Sequence, residues 1–263
     1  MVTRGSTYEN AANLAPAFLE EIKSRYEGTR LGRQELNAEL LEDVPGALWT
    51  RERLDKAAFK GAIPDLKRVV VAIDPSGTSG DDGGDSVGIV VAGVGADGLG
   101  YVHADETVKA SPAVWGACAV AAYRKFKADR IIAERNFGGA MVEHVIRTCD
   151  PHIPYRDVHA SRGKVARAEP IAALYEQNKI RHVGNFSALE DQMCAFTTTG
   201  YSGDGSPDRV DALCWALTEL LGQPVRPQAQ FGVWGYVPPS PAKSKFDGII
   251  ESGPLQGGYA VSR

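Results

Sequence analysis

Apolar and polar residues recur along this chain with two different periods, and the change of period divides it into three zones. Residues 1 to 66 carry helical spacing. In Ala15–Tyr26 the apolar positions Phe18, Leu19, Ile22 and Tyr26 fall on one helical face, Arg33–Leu41 reads as a second helix, and Trp49–Phe59 as a third, short one. None of these has enough apolar surface for a core of its own, so the zone is read as a helical arm or linker. At residue 67 the period shortens. Arg68–Ile73 is a β-branched run suited to a buried strand, followed by Asp74-Pro75 and a Gly/Asp-rich loop; Ser86–Val94 and Gly100–Val108 are further strands joined by a short turn. A helix is expected from Pro112, with Ser111 as its cap, to about Lys127. Arg130–Ala133 reads as a strand ending at Glu134, Gly139–Cys149 as a helix and Tyr155–His159 as a strand. Lys164–Asn178 reads as a helix interrupted near Pro170, Ile180–Val183 as a short extended piece, and Ser187–Phe196 and Asp208–Leu221 as two last helices.

Three strands in a meander followed by alternating helix and strand describe an α/β chain with a mixed sheet, three antiparallel strands and then parallel ones, flanked by helices. That order fits a ribonuclease H-like sheet over residues 67–222. A dinucleotide-binding fold would place a helix and a glycine fingerprint directly after its first strand, whereas here a second strand follows. The third zone, 223–263, contains six prolines and little helical period. It is expected to be an extended tail with at most a short strand near Phe231–Val237.

Composition removes several classes. Hydrophobic residues make up 43% and charged residues 24% of 263, globular values that leave no room for a collagen-like or wholly disordered chain. No apolar run reaches the roughly 18 residues of a membrane span and no basic-then-apolar leader begins at Met1, so no membrane association and a cytoplasmic location are expected. A net charge of -4 argues against a surface that is polycationic throughout, while leaving room for a local basic patch. Cys118, Cys149, Cys194 and Cys214 stand far apart and read as reduced core thiols. The five histidines have no metal-ligand spacing, though His159 stands at a strand end. Trp115 and Trp215 fall on apolar helix faces and are expected in the core.

Candidate chemistry rests on acids. Asp74 and Glu134 each close an apolar strand, and Asp211 sits in the first turn of the last helix with Asp208 one turn earlier. Alone, each has an ordinary reading: a turn-forming Asp-Pro, a strand-end acid, a cap complementing the helix dipole. Jointly they say more. In a ribonuclease H-like sheet the first and fourth strands are neighbours and the last helix begins over their C-terminal ends, so Asp74, Glu134 and Asp211 converge. Clustered carboxylates repel one another unless cations intervene, and oxygen ligands without His or Cys favour Mg²⁺ or Mn²⁺. Two such ions suit in-line hydrolysis of a phosphodiester.

The strings AIDPSG, DSVGIVVAG, IIAERNFGG and SPDRVDALCWAL, in this order, resemble the nuclease domain of the large terminase subunit of tailed bacteriophages and gene-transfer particles. Upstream, residues 5–55 look like the stretch that connects the packaging ATPase of that family to its nuclease. The resemblance implies a metal-dependent endonuclease that cuts concatemeric double-stranded viral DNA with little sequence preference. It implies two Mg²⁺ or Mn²⁺ ions, action in the host cytoplasm, and the packaging ATPase domain, portal and small terminase subunit as partners. By position it makes Asp74, Glu134 and Asp211 the catalytic metal ligands, Asp208 an accessory ligand and Asp85 a further acid near the ions. The ATPase half is absent. No GxxxxGK[ST] occurs; Gly163-Lys164 has Val158 where the leading glycine would stand and Val165 where a hydroxyl would. ATP hydrolysis is therefore not expected, and the start within the connecting stretch is that expected of a domain taken from a longer protein.

Arg135, Arg162, Lys164 and Arg167, with Arg156 nearby, stand at strand ends and a helix start close to the acids and are candidate phosphate contacts. A solvated helix start explains them equally well. The turn Asn136–Gly139 and the loop Thr197–Pro207 are further candidates for approaching DNA, and the Ser76–Gly84 loop reads as a hairpin connection because Asp81 and Asp82 repel phosphate. Two alternatives remain: a branched-DNA resolvase on the same sheet, and a non-catalytic docking module of a packaging motor in which the acids are structural.

Overall fold

The computed structural model describes residues 5–26, 30–38, 43–75, 86–135 and 139–222. The expected tail 223–263, the glycine-rich loop with Asp85, and Asn136–Gly138 lie outside the described residues.

The β-branched run near residue 70 becomes the centre of the sheet. Strand β1 (Leu66–Asp74) pairs antiparallel with β2 (Gly88–Gly95), which pairs antiparallel with β3 (Gly100–Asp105). On its other side β1 pairs in parallel with β4 (Arg130–Glu134), and β4 with β5 (Tyr155–Val158); β6 (Ile180–His182) pairs in parallel with β3. The six-stranded order is β5-β4-β1-β2-β3-β6. β1 and β4, the first and fourth strands along the chain, are thus spatial neighbours, as the strand pattern predicts.

Side-chain alternation sorts the strands onto two faces. Val71, Ile73, Ile89, Val91, Ile131 and Ala133 face helices α4 (Pro112–Lys125) and α5 (Gly139–Cys149). Val70, Ala72, Val90, Ala92 and Ile132 face α6 (Lys164–Glu176), α7 (Ser187–Cys194) and α8 (Asp208–Leu221). Both sides are covered, which is why β1 and β2 read as continuous apolar runs. Among the described residues no helix is long and apolar enough to cross a membrane.

Several elements differ from the sequence reading. Helix α1 (Pro16–Tyr26) is as expected, but α2 spans Arg30–Glu35 rather than 33–41: Leu36 turns into the interior and Ala38 takes a positive φ of 54°. Pro170 does not interrupt α6; it lies inside the helix, whose face of Ala168, Ile171, Ala172, Leu174 and Tyr175 is buried. Packing of that face outweighs the one backbone hydrogen bond that proline deletes. The loop after α7 contains a small hairpin, β7 (Phe196–Thr197) with β8 (Gly200–Tyr201).

The segment around Trp49, read from sequence as part of an arm, is built into the core. Trp49 is fully buried, edge-on to Tyr175 and Phe196, and α3 (Arg51–Ala57) buries Leu54 and Ala57 beside it. Backbone bonds hold both ends of this stretch: Leu48 N–H donates to Phe196 O, and Phe59 N–H to His182 O. Asp191 of α7 receives Arg33 and Arg51 as well. Short helices with few apolar residues gain their stability from a neighbour's surface, and sequence periodicity does not reveal that surface.

Candidate active site

Strand parity decides where the acids point. Asp74 follows Val70 and Ala72 by even steps, and Glu134 follows Ile132, so both project to the face on which α8 lies. The pairs Val70↔Arg130 through Ile73↔Ala133 bring Asp74 and Glu134 to the same level at the C-terminal ends of adjacent strands. Burying two such groups side by side is costly, and the surroundings show how the cost is met.

Helix α8 supplies the other acids from its first turn, where Asp208 and Asp211 are buried. Its approach to the sheet depends on Gly88, the register partner of Asp74. A Cβ at position 88 would stand 2.1 Å from the Asp208 carbonyl oxygen and 3.2 Å from Ala212 Cβ. That contact is with backbone, so no side chain fits without pushing the helix start away. Pro207 gives this start no side-chain cap. Gln192 of α7 substitutes for it: its Oε1 accepts from Arg209 N–H at 3.1 Å, and its Nε2 donates to Ser206 O. The Arg209 guanidinium is also ion-paired to Asp105 at the end of β3.

Cations from α6 complete the cluster. Arg167 NH2 donates to Asp211 Oδ1 at 3.0 Å and lies 3.6 Å from Glu134 Oε2, while its NH1 donates to Arg162 O. Lys164 Nζ lies 2.6 Å from Asp211 Oδ2, a charge-assisted contact to a buried oxygen. Trp215, one helical turn after Asp211, donates from Nε1 to Glu134 Oε2 at 2.9 Å, and the Arg167 guanidinium stacks over its ring at 4.8 Å. Burial holds the Asp74 carboxyl well above the usual carboxylate range, with the charges of Asp211 and Glu134 adding to the rise and Lys164 opposing it. For Lys164, burial works against its charge, but Asp211, Asp74 and Asp208 outweigh it and hold its pKa above the ordinary lysine value.

The profile of the family described as terminase RNaseH-like domain matches residues 71–220, more than half of the chain. This chain belongs to that family. No curated protein is significantly similar in sequence. Among solved structures, the large terminase nuclease from the thermophilic phage G20c is 16% identical, with a TM-score of 0.50 over 66% of this chain and 99% of that one. A mutant large terminase subunit from bacteriophage Sf6, solved with calcium, is 14% identical with a TM-score of 0.51 over 65% and 98%. The P22 large terminase nuclease domain is 11% identical, with a TM-score of 0.50 over 64% and 90%. At these identities the likeness is one of fold, and it agrees with the mixed six-stranded sheet.

In this terminase RNase H-like domain, Asp74, Glu134, Asp208 and Asp211 come together at one rim, while Asp85 lies outside the described residues. Among the described residues no three His, Cys, Asp or Glu side chains are drawn together as a finished coordination set; the Glu134 and Asp211 carboxylates are pulled onto Arg167 and Lys164. Of the candidate phosphate contacts, Arg135 is exposed and 3.6 Å from Asp157, and Lys164 is half-exposed beside Asp211 and Ser206. Arg162 offers its carbonyl to Arg167. Arg167 is turned inward, nine-tenths buried among the acids. His159 is exposed, while His182 is buried between Tyr175 and Glu190, away from the acids in sequence and in contacts.

Sequence reasoning missed Trp215, Gly88 and Gln192. Trp215 was legible as core, and it is core; the further signal was its i+4 spacing from Asp211, which puts both on the face turned to the strand ends. Trp215→Phe keeps the ring and deletes the Glu134 hydrogen bond. We expect it to fold normally but to bind Mn²⁺ about 10- to 100-fold more weakly, measured by isothermal titration calorimetry. Unchanged affinity would reduce Trp215 to packing.

Proposed function

We propose that this terminase domain is a metal-dependent endonuclease that cuts concatemeric double-stranded viral DNA during genome packaging, inside the host cell and with little sequence preference. The observation that carries this reading is the convergence of Asp74, Glu134, Asp208 and Asp211 at one rim, with Asp74 kept well above its ordinary pKa by burial and by its acidic neighbours. Four carboxylates at one rim, those of Asp74, Asp208 and Asp211 buried, are a hard-oxygen donor set suited to Mg²⁺ or Mn²⁺. The calcium in the Sf6 relative is consistent with it. Asp74, Glu134 and Asp211 would hold the ions, with Asp208 as an accessory ligand. The chemistry that two such ions supply when bound is activation of a water and neutralisation of the leaving oxygen in in-line displacement.

The remaining roles belong to the chain's own residues. Trp215 and Arg167 hold the Glu134 carboxylate in one orientation, Gly88 and Gln192 set the height of the first turn of α8, and Lys164, half-exposed, stands where a phosphate would approach the acids. Lys164 and Arg167 balance the acids until divalent ions take over part of that task. Arg135 and Arg162 are candidate backbone contacts. Membership of the terminase family supports a part in DNA packaging, with the packaging ATPase domain, portal and small terminase subunit as the partners that the family resemblance implies. Sequence features of a branched-DNA resolvase or a docking module gain no observation of their own.

Plasmid DNA should be nicked and linearised in Mn²⁺ or Mg²⁺, and EDTA should stop it; a protein that cuts equally in EDTA overturns the reading. The direction of the Asp74 shift adds a pH test. A carboxyl whose folded pKa is raised contributes stability that is full below its unfolded value of about 3.9 and is lost as pH rises through the folded pKa. In EDTA, stability should therefore fall from pH 4 toward neutrality more steeply for the parent than for Asp74→Asn, as measured by urea denaturation. Mn²⁺ affinity should rise over the same range, because the ion requires the deprotonated acid.

A further inference from the structure

Away from the acids, three arginines surround one carboxylate on the same face of the sheet. Glu219, in the last turn of α8, is nearly buried and takes Arg156 NH1 on Oε2 at 2.9 Å, Arg130 NH1 at 3.8 Å from Oε1, and Arg68 NH2 on Oε1. One carboxylate cannot neutralise three guanidinium groups. Asp129, whose Oδ2 is committed to the Val69 amide, brings one more negative charge to that end, and the cluster remains positive. The arginine side chains are 33% (Arg68), 37% (Arg130) and 56% (Arg156) exposed, so the excess charge faces water. Arg130 Nε is buried without a hydrogen-bond partner.

Register places these arginines in a row. Arg156 pairs with Ile132, two residues below Glu134; Arg130 is four below Glu134; Arg68 is six below Asp74. All lie on the even positions that face α8. At about 3.3 Å per residue their backbone positions lie about 7, 13 and 20 Å below the level of the acids, and the side chains converge so that the three guanidinium groups meet at Glu219.

We propose that Arg156, Arg130 and Arg68, on β5, β4 and β1, form a phosphate track, one basic patch that holds the backbone of the DNA duplex as it leads away from the acid rim, with Glu219 as the internal counter-charge that gathers the three guanidinium groups and limits the grip. This rests on the nuclease reading for its substrate. Arginine suits the task because its planar donors satisfy a carboxylate on one edge and a phosphate on another. A half-compensated cluster binds a polyanion without locking it, as a chain that must move requires.

The test uses the full chain, a fluorescein-labelled 30-base-pair duplex of arbitrary sequence, and anisotropy titrations in EDTA from 50 to 200 mM salt. Arg156→Ala should weaken binding about 3- to 10-fold and make the slope of log K against log salt shallower by about 1, and Arg130→Ala/Arg156→Ala by about 2. Glu219→Gln should do the opposite and tighten binding several-fold, a sign that loss of packing would not produce. Circular dichroism confirms folding of each variant, and the exposed Arg156 keeps the test open if Glu219→Gln does not fold. Unchanged affinity and slope in both arginine variants would overturn the track. In Mn²⁺, hydrolysis of bis(p-nitrophenyl) phosphate, too small to span the row, should be unaltered by Arg156→Ala while duplex cleavage slows. A parent protein that cleaves neither substrate would sink the nuclease reading separately, and the EDTA titrations would still decide the track.

Discussion

Replacing Asp74, Glu134 or Asp211 with alanine, one at a time, is expected to lower metal-dependent DNA cleavage by at least about 10³-fold, equivalent to about 4 kcal/mol of lost transition-state stabilisation, with the fold intact. The acids are not interchangeable supports for the structure. The Asp74 carboxyl is pushed up by its burial, with Asp211 and Glu134 adding to the rise, so removing it relieves both costs in the metal-free protein. The same substitution should therefore leave thermal stability in EDTA unchanged or improved at Asp74, while abolishing the stabilisation that Mn²⁺ gives the parent. Asp208→Ala, at the accessory position, should cost less activity. Supercoiled-plasmid cleavage in Mn²⁺, paired with melting curves in EDTA and Mn²⁺, measures both quantities. Three variants as active as the parent would remove the acid rim from the chemistry altogether.

Arg167→Ala should have the largest effect on stability. Its guanidinium is nine-tenths buried, bonded to Asp211, close to Glu134 and stacked on Trp215. Truncation leaves two buried carboxylates facing each other beside Asp74 with Lys164 as the remaining close cation among the described contacts. Breaking one side of a buried pair typically costs about 3–5 kcal/mol, which for a unit of this size lowers the melting temperature by roughly 10 °C. The loss should be greatest in EDTA and partly restored by millimolar Mn²⁺, since an ion supplies positive charge to the same acids. Arg167→Lys should recover part of the charge compensation and little of the stacking. If the deficit were identical with and without Mn²⁺, Arg167 would be bracing α6 against α8 rather than balancing the acid rim.

Much of the fold was legible because its signals are local. The β-branched runs of β1, β2 and β4, the helix start at Pro112, and the extent of α8 all follow from residue type and spacing within a few residues, although Ser111 makes no side-chain cap bond. The candidate acids were legible for a related reason: each stands at a strand end or a helix start, and although each alone has an ordinary reading, the three positions together point to one rim. What was not legible depended on partners far away in the chain. Trp49 could not be recognised as core without the surface made by Tyr175 and Phe196, and Pro170 could not be recognised as mid-helix without the buried face that outweighs its missing amide. Arg167 looked like a solvent-facing cation because its spacing from Lys164 is the same whether the face they share turns outward or onto Asp211.

The sequence by itself determined the succession of strands and helices along the chain, the strand-end and helix-start positions of Asp74, Glu134 and Asp211, and the family, because period and local chemistry are properties of contiguous residues. Only the tertiary structure decided that Lys164, Arg167 and Trp215 close around those acids, that Gly88 sets the distance of α8 from the sheet, and that Arg68, Arg130 and Arg156 meet at Glu219. These contacts join residues from 33 to 151 positions apart, and their energies come from charge and close packing across the sheet, which no local pattern encodes.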